Sequence, residues 1–166
     1  ADPPLTDLGH DQAGQAALHL AGLLGTVDAV RASDLERAHH TARALAAPHG
    51  LEVVTDERLR ERHAGPWTGL TRAEIDERFP GYLDDGRRPE GYETDDDLSA
   101  RTLAALHDFA DALAGGTGVL VTHGGVIVTL ETRHGAEREN ITNLGARWLE
   151  RSPDGAFTLG ERIRLV

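Results

Sequence analysis

The apolar run Val119-Leu120-Val121 is the feature that most narrows what this chain can fold into. Three consecutive apolar residues, bounded by glycine before and Thr122-His123-Gly124-Gly125 after, read as a strand buried on both faces. Such a strand has no polar face to turn to water, so it needs cover above and below. The rest of the chain offers it. Thr6 is placed to cap a helix running to about Leu24, with Leu8, Ala16, Ala17, Leu20, Leu23 and Leu24 as its apolar stripe and Gly25 as its stop. Val27 to Ala32 predicts a strand, Asp34 opens a helix from Leu35 to about Ala47, and Leu51 to Thr55 predicts another strand.

An irregular stretch follows, from Glu57 to Leu70. Thr71-Arg72-Ala73-Glu74 is a capping box for a short helix that Pro80 ends. Residues 81–93 read as loop, and Thr94 caps a long helix to Leu113 with three aspartates in its first turn, where the helix dipole favours them. A helix leaves from Val126, and a terminal hairpin turns across Ser152-Pro153-Asp154-Gly155. Alternation of this kind predicts an α/β three-layer sandwich: a mostly parallel sheet, helices on both faces, and a C-terminal hairpin.

At 166 residues the chain is expected to form a single domain, 1–166, with a small lid region at about 62–93. Acidic residues number 28 against 17 basic ones, a net charge of −11, which argues against nucleic acid or an anionic membrane surface as partner. Every basic residue is arginine, so Schiff-base and P-loop lysine chemistry are excluded. There is no cysteine, which excludes disulfides, thiolate metal sites and a cysteine nucleophile. No apolar run approaches the roughly twenty residues a membrane helix needs, and a cytoplasmic protein is expected.

Three stretches could carry chemistry. His123 lies at the carboxyl end of the buried strand, the edge where open α/β sheets bind ligands, and the following glycines and helix N-terminus suit an anion. A strand-end histidine can also serve only as a hydrogen-bond partner. Arg37, in the first turn of a helix that follows a strand, is suited to bidentate phosphate contact, although a helix arginine is often simply solvated. Glu61, between Arg60 and Arg62, reads either as a surface ion pair or as a general acid toward a leaving oxygen.

Taken in order, these pieces resemble the histidine phosphatase superfamily, the branch of cofactor-dependent phosphoglycerate mutases and their phosphatase relatives. Pro4-Leu5-Thr6-x-x-Gly9-x-x-Gln12-Ala13 is similar to its first-helix signature, and Ser33-Asp34-Leu35-x-Arg37-Ala38-x-x-Thr41-Ala42 to its phosphate-binding arginine motif. Leu59-Arg60-Glu61 through Gly65-x-Trp67-x-Gly69-Leu70-Thr71 resembles its acid-bearing loop. Glu90-Gly91-Tyr92-Glu93-Thr94, with Arg101 after it, resembles the loop entering the long helix, and Thr122-His123-Gly124-Gly125 the second catalytic histidine.

The resemblance implies a phosphoglycerate mutase-like fold and a phosphomonoester hydrolase acting on a small phosphorylated metabolite through a phosphohistidine intermediate, without metal or other cofactor. Arg37 would hold the phosphoryl oxygens, His123 would hydrogen-bond the same group, Glu61 would protonate the leaving alcohol, and Gly124 would offer a backbone amide. Arg87 and Arg88, in the lid region, would meet an anionic substrate. A catalytically inactive member that binds a phosphorylated ligand or partner protein is the alternative, and phosphoglycerate-type mutase activity a weaker one. A homodimer is compatible with either.

The family opens with an apolar strand ending in Arg-His-Gly, whose histidine is the nucleophile, and the match here starts after it. The chain also contains no methionine. A segment upstream of Ala1 carrying that strand is therefore expected; without it the sheet would lack an interior member and leave two strand edges unpaired. Arg133-His134-Gly135 superficially resembles the missing motif, but it follows a stretch expected to be helical, so His134 is expected at an exposed helix end.

Overall fold

The structure, a computed structural model, describes residues 2–166. Five helices, α1 (Asp7–Leu24), α2 (Glu36–Ala46), α3 (Arg72–Arg78), α4 (Asp95–Leu113) and α5 (Gly124–Arg133), combine with five strands, β1 (Ala29–Ala32), β2 (Val53–Thr55), β3 (Gly118–Val121), β4 (Gly145–Arg151) and β5 (Phe157–Arg164). Single 3-10 turns at Ala47–His49, Glu57–Leu59 and Gly65–Trp67 join some of them. The strands form a parallel three-stranded sheet in the order β2-β1-β3 and a separate antiparallel hairpin, β4-β5.

Helices cover both faces of the parallel sheet, as the alternation predicts. On one side α1 and α2 bury Ala16, Ala17, Leu20 and Leu45 against Val119 and Val121. On the other, Leu98 and Leu106 of α4 and Val126 and Leu130 of α5 pack with Leu120, Leu149 and Phe157. Successive residues of β3 thus point to opposite helix layers, which is why the run is apolar throughout. The strand is not fully buried, however: all four residues are half-buried, and among the described residues β3 pairs on one edge only, with β1.

Thr6, Thr71 and Thr94 cap their helices as predicted; the Thr71 hydroxyl and the Glu74 carboxylate complete the capping box. Three expectations fail locally. In α1 the buried residues are Ala13, Ala16, Ala17 and Leu20, whereas Leu8 is 66% and Leu23 48% exposed. At 100° per residue Leu8 lies roughly 140° from the centre of that stripe and Leu23 at its margin. Both predicted strands before the lid are shorter, starting at Ala29 and Val53. Asp34 does not cap α2; Leu35 stands at that position, and the Asp34 carboxylate binds Arg60 instead.

The hairpin turns where expected, and a buried ion cluster holds it to α5. Glu131, 1% exposed, receives the Arg162 guanidinium on both oxygens, and Arg147 Nε lies 3.0 Å from Oε1.

Candidate active site

The parallel sheet brings its strand ends to one edge, where Ser33 follows β1, Asp56 follows β2 and His123 follows β3. Backbone bonds continue the sheet there, from Ser33 N–H to the Val121 carbonyl at 2.9 Å and from Asp56 N–H to the Ala32 carbonyl at 2.8 Å. His123 is 7% exposed, with Nε2 2.9 Å from Ser33 Oγ and Nδ1 3.2 Å from Arg37 Nη2. A guanidinium can only donate, so Nδ1 accepts and Nε2 carries the hydrogen that Ser33 accepts. The ring is held neutral. Burial, reinforced by the Arg37 charge, pushes its pKa down to about 4.

Arg37 is the second residue of α2, as predicted. One arm of its fork meets His123; the other, Nη1, is buried without a hydrogen-bond partner among the described residues, with Asp2 Oδ1 at 3.5 Å. Glu61 reaches the same corner from the loop after β2. Its Oε1 accepts from the Arg62 amide at 2.8 Å and Oε2 from the Gly125 amide at 3.2 Å. The charges of Arg37, Glu61, Asp2 and Arg101 all act on the His123 ring. The structure therefore brings Arg37, Glu61 and His123 into one electrostatic site.

Helix termini complete it. While α1, α3 and α4 carry their own threonine caps, α2 and α5 have no side-chain cap bond from the residue at that position. Acids from elsewhere stand at both. Asp2 takes the Glu36 amide on both carboxylate oxygens at 3.0 Å, and Glu61 takes that of Gly125. Gly124, first residue of α5, has no acceptor for its amide among the described residues. The Arg37 guanidinium and the His123 imidazole thus meet beside the N-termini of α2 and α5, whose Glu36 and Gly125 amides are taken by Asp2 and Glu61, a grouping of donors that suits an oxyanion.

Arg87 and Arg88 lie in the turns before α4. Arg87 pairs with Asp85 at 2.7 Å and stacks on Tyr82, and Arg88 packs over Trp67 and Tyr92; neither bonds His123, Arg37 or Glu61 among the described residues. His134 ends α5, exposed, with Nδ1 2.8 Å from the Leu130 carbonyl. No group of three or more His, Asp or Glu residues among the described ones is disposed to hold a metal ion.

Sequence reasoning missed Ser33, Asp2, the bond from the Gly125 amide to Glu61 and the grip of Arg101 on the Glu61 loop. Ser33 carried a signal, since it follows β1 as His123 follows the neighbouring β3. Nothing local marked Asp2.

The family model of the histidine phosphatase superfamily, branch 1, matches residues 1–155. The chain belongs to that superfamily. Among curated members it is 40% identical to a glucosyl-3-phosphoglycerate phosphatase of Mycolicibacterium vanbaalenii over 78% of this chain and 62% of that protein. It is also 40% identical to phosphoglycerate mutase-like protein 4 of Arabidopsis thaliana, over 80% of this chain and 60% of that one. The chain thus spans about 60% of the length of these relatives. Among solved structures, a mycobacterial glucosyl-3-phosphoglycerate phosphatase complexed with VO3 superposes with a TM-score of 0.82 at 30% identity, covering 95% of this chain and 86% of that one. A Bacillus stearothermophilus protein superposes at 0.84 with 27% identity, over 95% and 83%. The phosphoglycerate mutase-like fold expected of the superfamily is the one observed.

Proposed function

We propose that this protein is a metal-independent phosphomonoester hydrolase acting on a small phosphorylated metabolite. The observation that carries the reading is the contact of Arg37 Nη2 with the neutral, buried His123, with no hydrogen bond on Arg37 Nη1 or the Gly124 amide among the described residues and Glu61 on the neighbouring Gly125 amide. In this reaction, as the family resemblance implies, a nucleophilic histidine attacks phosphorus. An N–P bond forms as the P–O bond to the alcohol breaks. Arg37 and His123 donate to the equatorial oxygens, where charge develops, and His123 must be protonated or turn its Nε2–H from Ser33 to do so. Glu61 gives its proton to the leaving oxygen, then takes one from the water that cleaves the N–P bond.

Similarity to glucosyl-3-phosphoglycerate phosphatases supports a phosphorylated sugar-acid as the first substrate to assay. In that complex Arg87 and Arg88 would face the part of the substrate that is not transferred, with residues 62–93 as the lid. Among the described residues no helix is long and apolar enough to cross a membrane; we infer a cytoplasmic enzyme, working alone or as a homodimer.

The test starts from the purified full polypeptide, its intact mass first. Incubated with a labelled phosphomonoester in excess chelator and quenched in base, it should carry label that acid releases, the behaviour of an N–P bond. His123→Ala should lower turnover by about a hundredfold or more while the melting temperature holds. Turnover that stops with chelator, or stays at the wild-type rate without His123, overturns the reading.

A further inference from the structure

The general acid sits on a loop, and a loop carboxylate is useful only if something fixes it. Residues 58–63 have no strand or α-helix of their own to do so. The grip comes from α4. Arg101, with its side chain 22% exposed, sets its fork on Glu93, Nε to Oε1 at 2.6 Å and Nη2 to Oε2 at 2.9 Å. The same guanidinium donates Nη1 to the Arg58 carbonyl at 2.6 Å and Nη2 to the Glu61 carbonyl at 3.3 Å. Its two carbonyl acceptors therefore bracket the segment that ends at the acid.

Glu93 closes the other side. Its Oε2 accepts the His63 amide at 3.0 Å, its own amide donates to the His63 carbonyl at 2.9 Å, and its carbonyl accepts Arg62 Nη1 at 2.7 Å. Burial pushes the Glu93 carboxyl up, but the Arg101 bonds and the His63 amide outweigh it and hold it below the ordinary range. The carboxylate stays charged, and the fork stays closed.

Resting on the reading of Glu61 as the acid, we propose that Arg101, locked by Glu93, is a positioning residue that holds the Glu61 carboxylate against the Gly125 amide and so toward the leaving oxygen. Arg101 does not touch the substrate. Its planar fork, with two N–H groups to Glu93 and two to carbonyls, is a shape an ammonium cannot reproduce, so lysine should fail in its place.

Leaving-group dependence separates this role from general support of the fold. In the full polypeptide, kcat and KM are measured for aryl and alkyl phosphates of increasing leaving-group basicity, for Glu61→Gln, Arg101→Lys, Glu93→Gln and the double variant Glu61→Gln/Arg101→Lys. Inorganic phosphate inhibition and thermal melting are measured alongside. Arg101→Lys should lose about a hundredfold on alkyl phosphates and no more than about threefold on the most activated aryl ester, with phosphate inhibition unchanged. Adding it to Glu61→Gln should cost nothing further, because both act through one carboxylate.

Losses of equal size across the series, or additive losses in the double variant, overturn the proposal. If Glu61→Gln itself is insensitive to the leaving group, the acid role fails and the positioning role with it. If Glu61→Gln discriminates and Arg101→Lys does not, only the positioning role falls. Should Arg101→Lys melt early, Glu93→Gln, which keeps the arginine and weakens its lock, should show the same dependence to a lesser degree. A flat response there overturns it too.

Discussion

Two adjacent glycines at the start of α5 have different jobs. A Cβ on Gly124 would meet only Ile141 Cγ2 at 3.5 Å, an ordinary contact. A Cβ on Gly125 would stand 2.5 Å from Glu61 Oε1 and 3.1 Å from Cδ, so the carboxylate would have to leave the amide it binds. Gly125→Ala is expected to fold normally, since alanine favours a helix over glycine by about 1 kcal/mol. It should lose at least about tenfold in kcat on alkyl phosphates, where proton donation to the leaving oxygen matters most. Steady-state rates beside a thermal melt check this; an unchanged rate would mean that Glu61 works without its Gly125 bond.

At the scale of elements, Glu131 decides how the hairpin meets the helices. It is the one carboxylate among the described residues that is 1% exposed, and Arg147 from β4 and Arg162 from β5 both point at it. Glu131→Ala would leave two guanidinium groups facing each other beneath the hairpin. Breaking a buried charge pair from one side costs about 3–5 kcal/mol; because both arginines keep some solvent contact, about 3 kcal/mol is expected here. Urea unfolding measures it, and a loss under about 1 kcal/mol would show that water already carries those charges.

What was legible in the sequence follows the range of each interaction. Threonine caps, the capping box and the turn after Ser152 are local, spanning a few residues, and they stand where predicted. His123, Arg37 and Glu61 were singled out as candidates by their place beside strand ends and by the family pattern. Their partners were not, because those contacts cross the chain: Ser33 to His123 spans 90 residues, Asp2 to Glu36 34, and Arg101 to Glu61 40. Asp34 illustrates the failure. Its position before a helix reads as a cap, yet Arg60, 26 residues on, binds its carboxylate and holds the pKa down, while Asp2 serves the helix end instead.

For the whole molecule, a net charge of −11 surrounds the corner that holds Arg37 and His123, and acid probes the two separately. The His123 pKa falls from an ordinary 6.5 to about 4 on folding. Between those values the unfolded chain binds a proton that the folded chain refuses. Stability therefore rises with pH across this window: the contribution is complete above pH 6.5 and is lost as pH falls toward 4, about 3 kcal/mol in all. Carboxylates held low, Asp34, Asp56 and Glu93 among them, act in the same direction but at lower pH. Relief of self-repulsion among the acidic residues opposes both, and a variant that shares those charges subtracts it. The stability difference between wild type and His123→Gln, from urea unfolding at pH 7, 6, 5 and 4, should accordingly shift by up to about 3 kcal/mol against the wild type. A flat difference would mean that burial and Arg37 do not keep the ring neutral. Sulfate, a dianion throughout this range, turns the same linkage around. Bound beside Arg37 it favours the protonated ring, so saturating sulfate should stabilise the wild type more at pH 5 than at pH 7, and His123→Gln equally at both. Equal stabilisation of the wild type at the two pH values would place the anion away from His123.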